Sequence, residues 1–239
     1  MKFLTVLLFP TRGVRTAGQP FQRPARSRCS EKGVRIVGDP TKFRYLWEYY
    51  SFHAVFACLL LSELFIFLYT MQRGSRTQTA NGDHGTKWLL YGNFAVCLFI
   101  SIYSVSQAAP VLLRNLAFPP FVADIGTAFI AAGIVIRISA VLTLKKAFTL
   151  HVQTAAGQQL VTSGLYHTVR HPAYSGSILS LFGAALAFRN IAAVCLVPFC
   201  SLICYSTRIR VEEKALEAQF GKEYADYKRS TYRLFPYIF

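Results

Sequence analysis

Acidic residues are scarce in this sequence of 239 residues: 11 Asp and Glu stand against 26 Lys and Arg, and the formal net charge is +15 at pH 7. Such an excess could indicate nucleic-acid binding, but no RNA- or DNA-binding motif accompanies it. Ten basic residues lie in residues 1–44, and most of the others lie in loops and the tail, where Lys and Arg meet anionic lipid headgroups. We therefore expect these basic residues to contact membrane lipid, and we expect no nucleic-acid partner.

Motifs for several common chemistries are also missing. The six cysteines show neither C-x-x-C spacing nor the pattern of a small secreted domain, and no histidine pair joins Cys200 and Cys204 on their helix face. No G-x-S-x-G, H-E-x-x-H, P-loop or G-x-G-x-x-G motif occurs in the sequence. We expect no metal site, and a Rossmann-type nucleotide site is unsupported.

Long apolar runs are what the sequence has in abundance, because 53% of its residues are hydrophobic. A membrane-spanning helix needs ~20 predominantly apolar residues, and five runs approach or exceed this length: roughly 46–70, 88–113, 120–144, 173–188 and 191–206. Only Arg189 and Asn190 separate the last two runs, which predicts a tight helical hairpin. The predicted fold is all-α: a polytopic membrane protein with about five transmembrane helices and an amphipathic C-terminal helix.

This pattern divides the chain into three parts. Residues 1–44 form a basic, Pro/Arg/Gly-rich arm that is either disordered or a presequence. Residues 45–125 hold the N-terminal transmembrane helices, and residues 126–239 hold a loop, the hairpin and the tail. Because the hairpin returns the chain to the side it left, the loop 145–171 and the tail should face one another.

The stretch SGLYHTVRHPAYSGS, residues 163–177, concentrates polar side chains just before an apolar run. Pro172 suits the first turn of a helix, because its missing N–H would have no partner there, and this makes His171 the predicted N-cap. Small residues then recur every three or four positions, which permits close helix contact in lipid: Gly176, Ser180, Gly183 or Ala184, and Ala187. The stretch is either a rigidly held polar site or an interfacial anchor whose Arg and Tyr reach the headgroups.

The tail carries a second group of charges and an apolar stripe. Arg208 and Glu212 are four residues apart, and Arg210 and Glu213 are three apart, so they either pair to solvate a helix or bind a substrate. The stripe of one surface helix is predicted from the spacing of Leu216, Phe220, Tyr224 and Tyr227.

Two charged residues lie well inside apolar runs, away from their ends, where they are costly and therefore functional candidates. They are Glu63 in the first run and Arg137 in the third. The alternative is that they pair with each other and brace the bundle.

Three motifs together resemble those of the isoprenylcysteine carboxyl methyltransferase family. They are LVTSGLYHTVRHPAYSG before the hairpin, R-x-R-x-E-E-x-x-L-x-x-x-F-G-x-E-Y-x-x-Y after it, and the final T-x-R-x-x-P. The resemblance covers residues 126–237. It implies an integral-membrane enzyme that uses S-adenosylmethionine as cofactor and prenylated C-terminal cysteines as substrates. It also implies a membrane location, the endoplasmic reticulum, with the active site facing the cytosol.

The resemblance further implies roles for individual residues. Arg208 matches the arginine that orients the substrate carboxylate, with Arg210 as the rival, and Glu212 matches the acid that supports cofactor and substrate binding. The positions that match the cofactor pocket are Leu160, Val161, Tyr166, His171 and Tyr174, with Gln153 as a further contact. An α-carboxylate is already ionised at neutral pH, since its pKa is ~3.5. No general base is therefore needed, which agrees with the missing catalytic motifs.

Two other functions remain open at this stage. A phospholipid N-methyltransferase would have similar cofactor residues, but its amine acceptor would gain nothing from an arginine that orients a carboxylate. A non-enzymatic membrane scaffold or transporter would use Glu63 and Arg137 as its intramembrane pair.

Overall fold

The structure is a computed structural model that describes residues 45–74, 86–106, 108–144 and 160–237. These residues fold into α-helices and one 3-10 helix, which confirms the all-α prediction. The α-helices are α1 (Leu46–Gly74), α2 (Thr86–Tyr103), α3 (Val111–Asn115), α4 (Val122–Leu144), α5 (Pro172–Ala187), α6 (Ile191–Phe220) and α7 (Lys222–Ser230), and the 3-10 helix is Gly164–His167.

Five apolar helices occupy the places of the five predicted runs. Three of them in the described part of the chain are long and apolar enough to cross a bilayer: Leu46–Thr70, Val122–Leu144 and Ile191–Phe220. The other two are shorter, Trp88–Tyr103 and Pro172–Ala187. The prediction of a polytopic membrane protein is thus confirmed.

The predicted second run, 88–113, is wrong at its C-terminal end. The helix α2 stops at Tyr103, and α3 begins only after Pro110, which is its N-cap. The hydroxyl of Ser104 donates to the Ser101 carbonyl and that of Ser106 to the Tyr103 carbonyl. Such local bonds from side chain to backbone compete with helix continuation, so the chain turns here instead of extending the helix.

The predicted hairpin between α5 and α6 is confirmed, with Asn190 as its central residue. Arg189 adopts a positive φ of 60°, which turns the chain. The Asn190 side chain accepts from the amide of Ala193, at 3.2 Å, and so caps α6. Its amide nitrogen donates to the carbonyls of Ser104 and Leu113, which fixes the turn to the chain after α2.

The stripe of apolar residues predicted that the tail forms one surface helix. The structure shows two helices instead, and the first of them continues from the apolar run. α6 runs without interruption from the apolar run to Phe220, and Gly221 then takes a φ of 52°, which ends the helix before α7 begins. Glycine adopts a positive φ more readily than other residues do. Only Tyr224 of the stripe is fully buried, and α7 still has the predicted amphipathic character, since its charged Lys222, Glu223 and Asp226 are exposed.

The helix α5 lies at the centre of the bundle. Twelve of its 16 residues are buried, and its neighbours include α1 through Phe56 and α6 through Val197. Its predicted small-residue face packs against α4. A Cβ added to Gly176 would lie 2.7 Å from the backbone nitrogen of Arg137, and one added to Gly183 would lie 2.7 Å from the carbonyl oxygen of Gly126. The two backbones therefore touch directly, as the small residues predicted.

This contact makes Gly176→Ala an informative variant. We expect it to lower stability by about 1–3 kcal/mol, because the added methyl meets the α4 backbone, which cannot rotate away. Gly92→Ala is the matched control, since a Cβ there meets nothing within 4 Å, and it should leave the unfolding temperature of the detergent-purified protein unchanged or slightly raised. Equal unfolding temperatures for the two variants would contradict the close approach of α4 and α5.

The two ends of the bundle are distinguishable. Near the start of α1, the rings of Phe52 and Phe56 lie 5.5 Å and 6.0 Å from that of Phe188, so α1 begins at the hairpin turn. The other end of α5, at Pro172, is 16 residues away, or about 24 Å at the rise of an α-helix. Residue 45 and the loop before α5 therefore lie at opposite ends of the bundle.

Candidate active site

Four segments meet where α5 begins. The backbone nitrogens of Arg170 and His171 donate to the carbonyls of Tyr232 and Arg233, at 2.8 Å and 3.2 Å. Ser175, in the first turn of α5, donates from its hydroxyl to the Leu234 carbonyl. The residues directly before α5, the start of α5, the outer part of α6 and the tail thus face one another, as the hairpin topology predicts. His171 is the N-cap and Pro172 the first helical residue, which confirms both assignments.

A buried guanidinium lies at the centre of this meeting point. Arg208 is fully buried on α6, and its Nε donates to Glu212 Oε1 at 2.9 Å. The hydroxyl of Tyr174 donates to the same carboxylate oxygen at 2.5 Å, and Arg208 Nε is 3.4 Å from that hydroxyl. A fifth of the Glu212 side chain is exposed, so this group of side chains is accessible from the protein surface at Glu212.

The imidazole of His171 lies beside this group. It stacks on the Tyr174 ring, with centroids 5.8 Å apart, and its Nδ1 is 3.6 Å from Glu212 Oε2. Its Nε2 is buried and lies 3.4 Å from Glu213 Oε1. The ring is therefore held between Tyr174 and the two carboxylates.

Glu213 forms a second charged centre behind the first. Its side chain is 5% exposed, and its oxygens lie 3.1 Å from Arg170 Nε and 3.0 Å from Arg233 Nη2. Lys228 Nζ is 3.7 Å away. Arg170 also donates to the carbonyls of Lys228 and Thr231. Glu213 and Arg170 together therefore fasten the tail to the start of α5.

Tyrosines fill the space around the charges. Tyr166, in the 3-10 helix, is buried, and its carbonyl accepts from the hydroxyl of Tyr227 at 2.6 Å. Burial raises the pKa of Tyr227 to about 12. Burial and then the nearby Glu212 raise the pKa of Tyr166 as well, and burial followed by Glu213 does the same for Tyr224. These phenols therefore stay protonated at neutral pH and can act as hydrogen-bond donors.

The structure brings most of the sequence-predicted residues together. Arg208, Glu212, His171 and Tyr174 form one group, and Tyr166 is close enough to Glu212 to interact electrostatically. Leu160 and Val161 are half-buried in the chain that leads to the 3-10 helix. Gln153 lies outside the described residues.

The rival candidate Arg210 lies apart from this group. It is exposed, on the side of α6 that faces away from Arg208. The helical pair predicted between Arg210 and Glu213 is wrong, because Glu213 points into the protein and pairs with Arg170 and Arg233. Burial of one side of α6 therefore decides which of the two predicted helical pairs forms, since Arg208 and Glu212, four residues apart, do meet.

Sequence reasoning missed the roles of Arg170, Glu213 and Arg233. Arg170 lies within the opening motif and Arg233 within T-x-R-x-x-P, but their common partner lies 43 and 20 residues away in the chain. The sequence did contain one indication: Arg170 and Arg233 lie in separate motifs and have no acidic residue beside them, so each needs a partner from elsewhere in the chain. The pairing itself depends on the fold.

The fold and this group of side chains define an α-helical integral-membrane protein with a polar site where its central helix begins. Residues 125–218 match the model of the isoprenylcysteine carboxyl methyltransferase family. The resemblance indicated by the motifs is thus confirmed for this part of the chain.

Individual relatives agree with this assignment. The chain is 29% identical over 173 residues to a probable protein-S-isoprenylcysteine O-methyltransferase of Oryza sativa subsp. indica, which covers 65% of this chain and 91% of the relative. It is 25% identical over 154 residues to protein-S-isoprenylcysteine O-methyltransferase B of Arabidopsis thaliana, covering 63% and 77%.

A solved structure has a similar fold. It is that of the eukaryotic intramembrane Ras methyltransferase, isoprenylcysteine carboxyl methyltransferase, with a TM-score of 0.57 and 24% identity. The match covers 84% of this chain and 71% of that one, so the fold extends beyond the residues of the family model into the N-terminal helices.

Proposed function

We propose that this protein transfers a methyl group to the C-terminal carboxylate of a prenylated cysteine, as a protein-S-isoprenylcysteine O-methyltransferase. The observation that carries the proposal is the buried Arg208, held by Glu212 and Tyr174 beside the N-cap of α5. A guanidinium presents a planar fork of donors that matches a carboxylate, and it stays charged at any physiological pH. Arg208 would orient the substrate carboxylate, which enters past the exposed edge of Glu212.

The residues fit S-adenosylmethionine as the methyl donor. One buried polar atom, the Tyr224 hydroxyl oxygen, has no hydrogen-bond partner among the described residues, and such an atom suits a polar ligand. The rings of His171, Tyr174 and Tyr166 would enclose the ligand, and Leu160 and Val161 would line its entrance. When bound, S-adenosylmethionine supplies an electrophilic methyl group on a sulfonium.

The protein's own residues need only bind, orient and exclude water. The acceptor carboxylate is ionised at neutral pH, since its pKa is ~3.5, so no side chain has to remove a proton. The phenols of Tyr166 and Tyr227 are neutral at this pH, and burial raises their pKa values further. Catalysis would then rest on holding two partners in line within an enclosed site.

The charge balance of the site argues against a phospholipid amine as acceptor. Three guanidinium groups, those of Arg170, Arg208 and Arg233, face the two carboxylates of Glu212 and Glu213. With the ammonium of Lys228, 3.7 Å from Glu213 Oε2, the basic groups outnumber these carboxylates. Such a site attracts a carboxylate and repels the ammonium of phosphatidylethanolamine.

The orientation in the membrane follows from the same proposal. A water-soluble cofactor and cytosolic substrates require the start of α5 to face the cytosol. The start of α1, at the opposite end of the bundle, then faces the other side. We infer that the protein resides in the endoplasmic reticulum in this orientation.

The direct test supplies both acceptors to one membrane preparation with labelled S-adenosylmethionine. We expect label in N-acetyl-farnesylcysteine and none above background in phosphatidylethanolamine. Labelling of the lipid alone would overturn the proposal in favour of the N-methyltransferase. If the purified protein fails to bind S-adenosylmethionine in calorimetry, the scaffold or transporter function is favoured.

A further inference from the structure

An ion pair lies within the helical bundle, one layer below the site. Glu63 of α1 and Arg137 of α4 meet through two contacts, Nε to Oε1 at 2.7 Å and Nη2 to Oε2 at 2.8 Å. Each side chain is 13% exposed. The Nη2 contact is a hydrogen bond, whereas Nε and Oε1 approach as an ion pair without a hydrogen bond. Both residues lie in helices that are long and apolar enough to span a membrane.

The guanidinium also reaches a third helix. Its remaining nitrogen, Nη1, donates to the carbonyl of Ala173 at 3.2 Å. Ala173 is in the first turn of α5, two residues after His171 and next to Tyr174. Nε and Nη2 are sufficient to connect α4 to α1. The additional Nη1 contact connects the ion pair to the start of α5.

The first turn of α5 is thus held on two sides. On one side the Arg137 guanidinium bonds to Ala173, and Gly176 lets the α4 backbone at Arg137 approach directly. On the other side Ser175 donates to the Leu234 carbonyl of the tail. These contacts leave little freedom for α5 to rotate or slide, and the positions of His171 and Tyr174 follow from those of their helix.

We propose that the Glu63–Arg137 pair is a positioning device for the methyltransferase site: Glu63 aims the Arg137 guanidinium, which fixes the first turn of α5. Neither residue touches substrate or cofactor. The proposal rests on the proposed function and adds to it that α1, which precedes the residues matched by the family model, sets the geometry of the site. Displacement of a catalytic group by about 1 Å can cost a hundredfold in rate.

A double replacement separates positioning from simple stabilisation. Arg137→Met or Glu63→Met alone leaves one buried charge without its partner, and this should lower the unfolding temperature markedly. Glu63→Met/Arg137→Met removes both charges and keeps similar side-chain volume, so we expect the unfolding temperature to return close to that of the wild type. The donor to Ala173 remains absent in this double variant.

The decisive readout is binding of S-adenosylmethionine by calorimetry on the detergent-purified full chain. We expect the double variant to bind about tenfold or more weakly than the wild type at equal stability, with Arg137→Lys between the two because one ammonium cannot serve both partners. Asn93→Leu is the control: it removes a buried contact with Ser201 between α2 and α6, and should lower stability but not affinity.

The outcomes are distinct. If the double variant regains wild-type affinity together with its stability, the pair is only a brace and the positioning proposal is overturned. A weaker affinity in Asn93→Leu at the same loss of stability would also overturn it, because any loosening of the bundle would then have this effect. If the wild type itself binds no S-adenosylmethionine, the proposed function fails, and this inference fails with it.

Discussion

Arg208→Met is expected to lower kcat/KM for a prenylcysteine acceptor by about a hundredfold or more, because truncation of a buried charge partner costs ~2–5 kcal/mol. Methionine keeps the length of the apolar stem and removes only the guanidinium. Arg208→Lys should rescue little, since an ammonium lacks the planar fork that matches a carboxylate. The measurement is a methyl-transfer assay with N-acetyl-farnesylcysteine over a range of concentrations.

The matched comparison is Arg210→Met, two residues further along the same helix. Arg210 is exposed and lies away from the buried group, so we expect its loss to change kcat/KM by less than about threefold. The reverse order, with Arg210 essential and Arg208 dispensable, would assign the carboxylate to the rival residue. Activity that survives both replacements would favour an amine acceptor.

Loss of activity in Arg208→Met could also arise from a less stable fold, because Glu212 then loses its ion-pair partner. The double variant Arg208→Met/Glu212→Gln removes both charges and should recover much of the unfolding temperature. Its activity should stay low if the guanidinium acts on the acceptor. Recovery of activity with stability would instead limit Arg208 to a structural role.

The features that the sequence predicted are those that depend on local order. Pro172 and His171 mark the start of α5, because proline is favoured in the first turn of a helix and the preceding residue becomes the cap. The small residues of α5 indicate a close helix contact, although the sequence does not reveal that α4 supplies the partner. The hairpin follows from a two-residue gap between apolar runs.

The features that could not be predicted from the sequence depend on which side of each helix the fold buries. Arg208, Ile209 and Glu213 lie on the buried side of α6, and Arg210 lies on the exposed side, but periodicity cannot assign sides to a stretch rich in charges on every face. The end of α2 was also missed, because the apolar run continues past Tyr103 while the serine hydroxyls turn the chain. The break occurs at Gly221, whose positive φ of 52° glycine adopts readily.

Glu213→Gln is expected to have the largest effect on stability of any single charge removal in the tail region, about 3–5 kcal/mol. The substitution keeps the shape of the side chain and removes the negative charge that Arg170 and Arg233 share. These two guanidinium groups would then repel each other in a buried setting. Thermal unfolding of the detergent-purified protein measures the loss.

Glu217→Gln provides the matched control, with the same substitution on the same helix, one turn further along. Glu217 is 45% exposed and pairs with Lys228 at 2.6 Å, and exposed pairs contribute roughly 0–1 kcal/mol. We therefore expect a shift in unfolding temperature several times smaller than that of Glu213→Gln. Similar shifts for the two variants would contradict a special role for the buried carboxylate.

The loss should be concentrated at the junction of tail and site. Glu213 and Arg170 hold residues 228–233, whose carbonyls pair with the chain that enters α5. Limited proteolysis of Glu213→Gln should therefore cleave between α7 and the C-terminus at temperatures where the helices remain folded. His171 shares this chain segment, so S-adenosylmethionine should bind more weakly in Glu213→Gln and with unchanged affinity in Glu217→Gln. If Glu213→Gln resists cleavage in the tail and binds S-adenosylmethionine with full affinity, the backbone hydrogen bonds alone hold residues 228–233 in place.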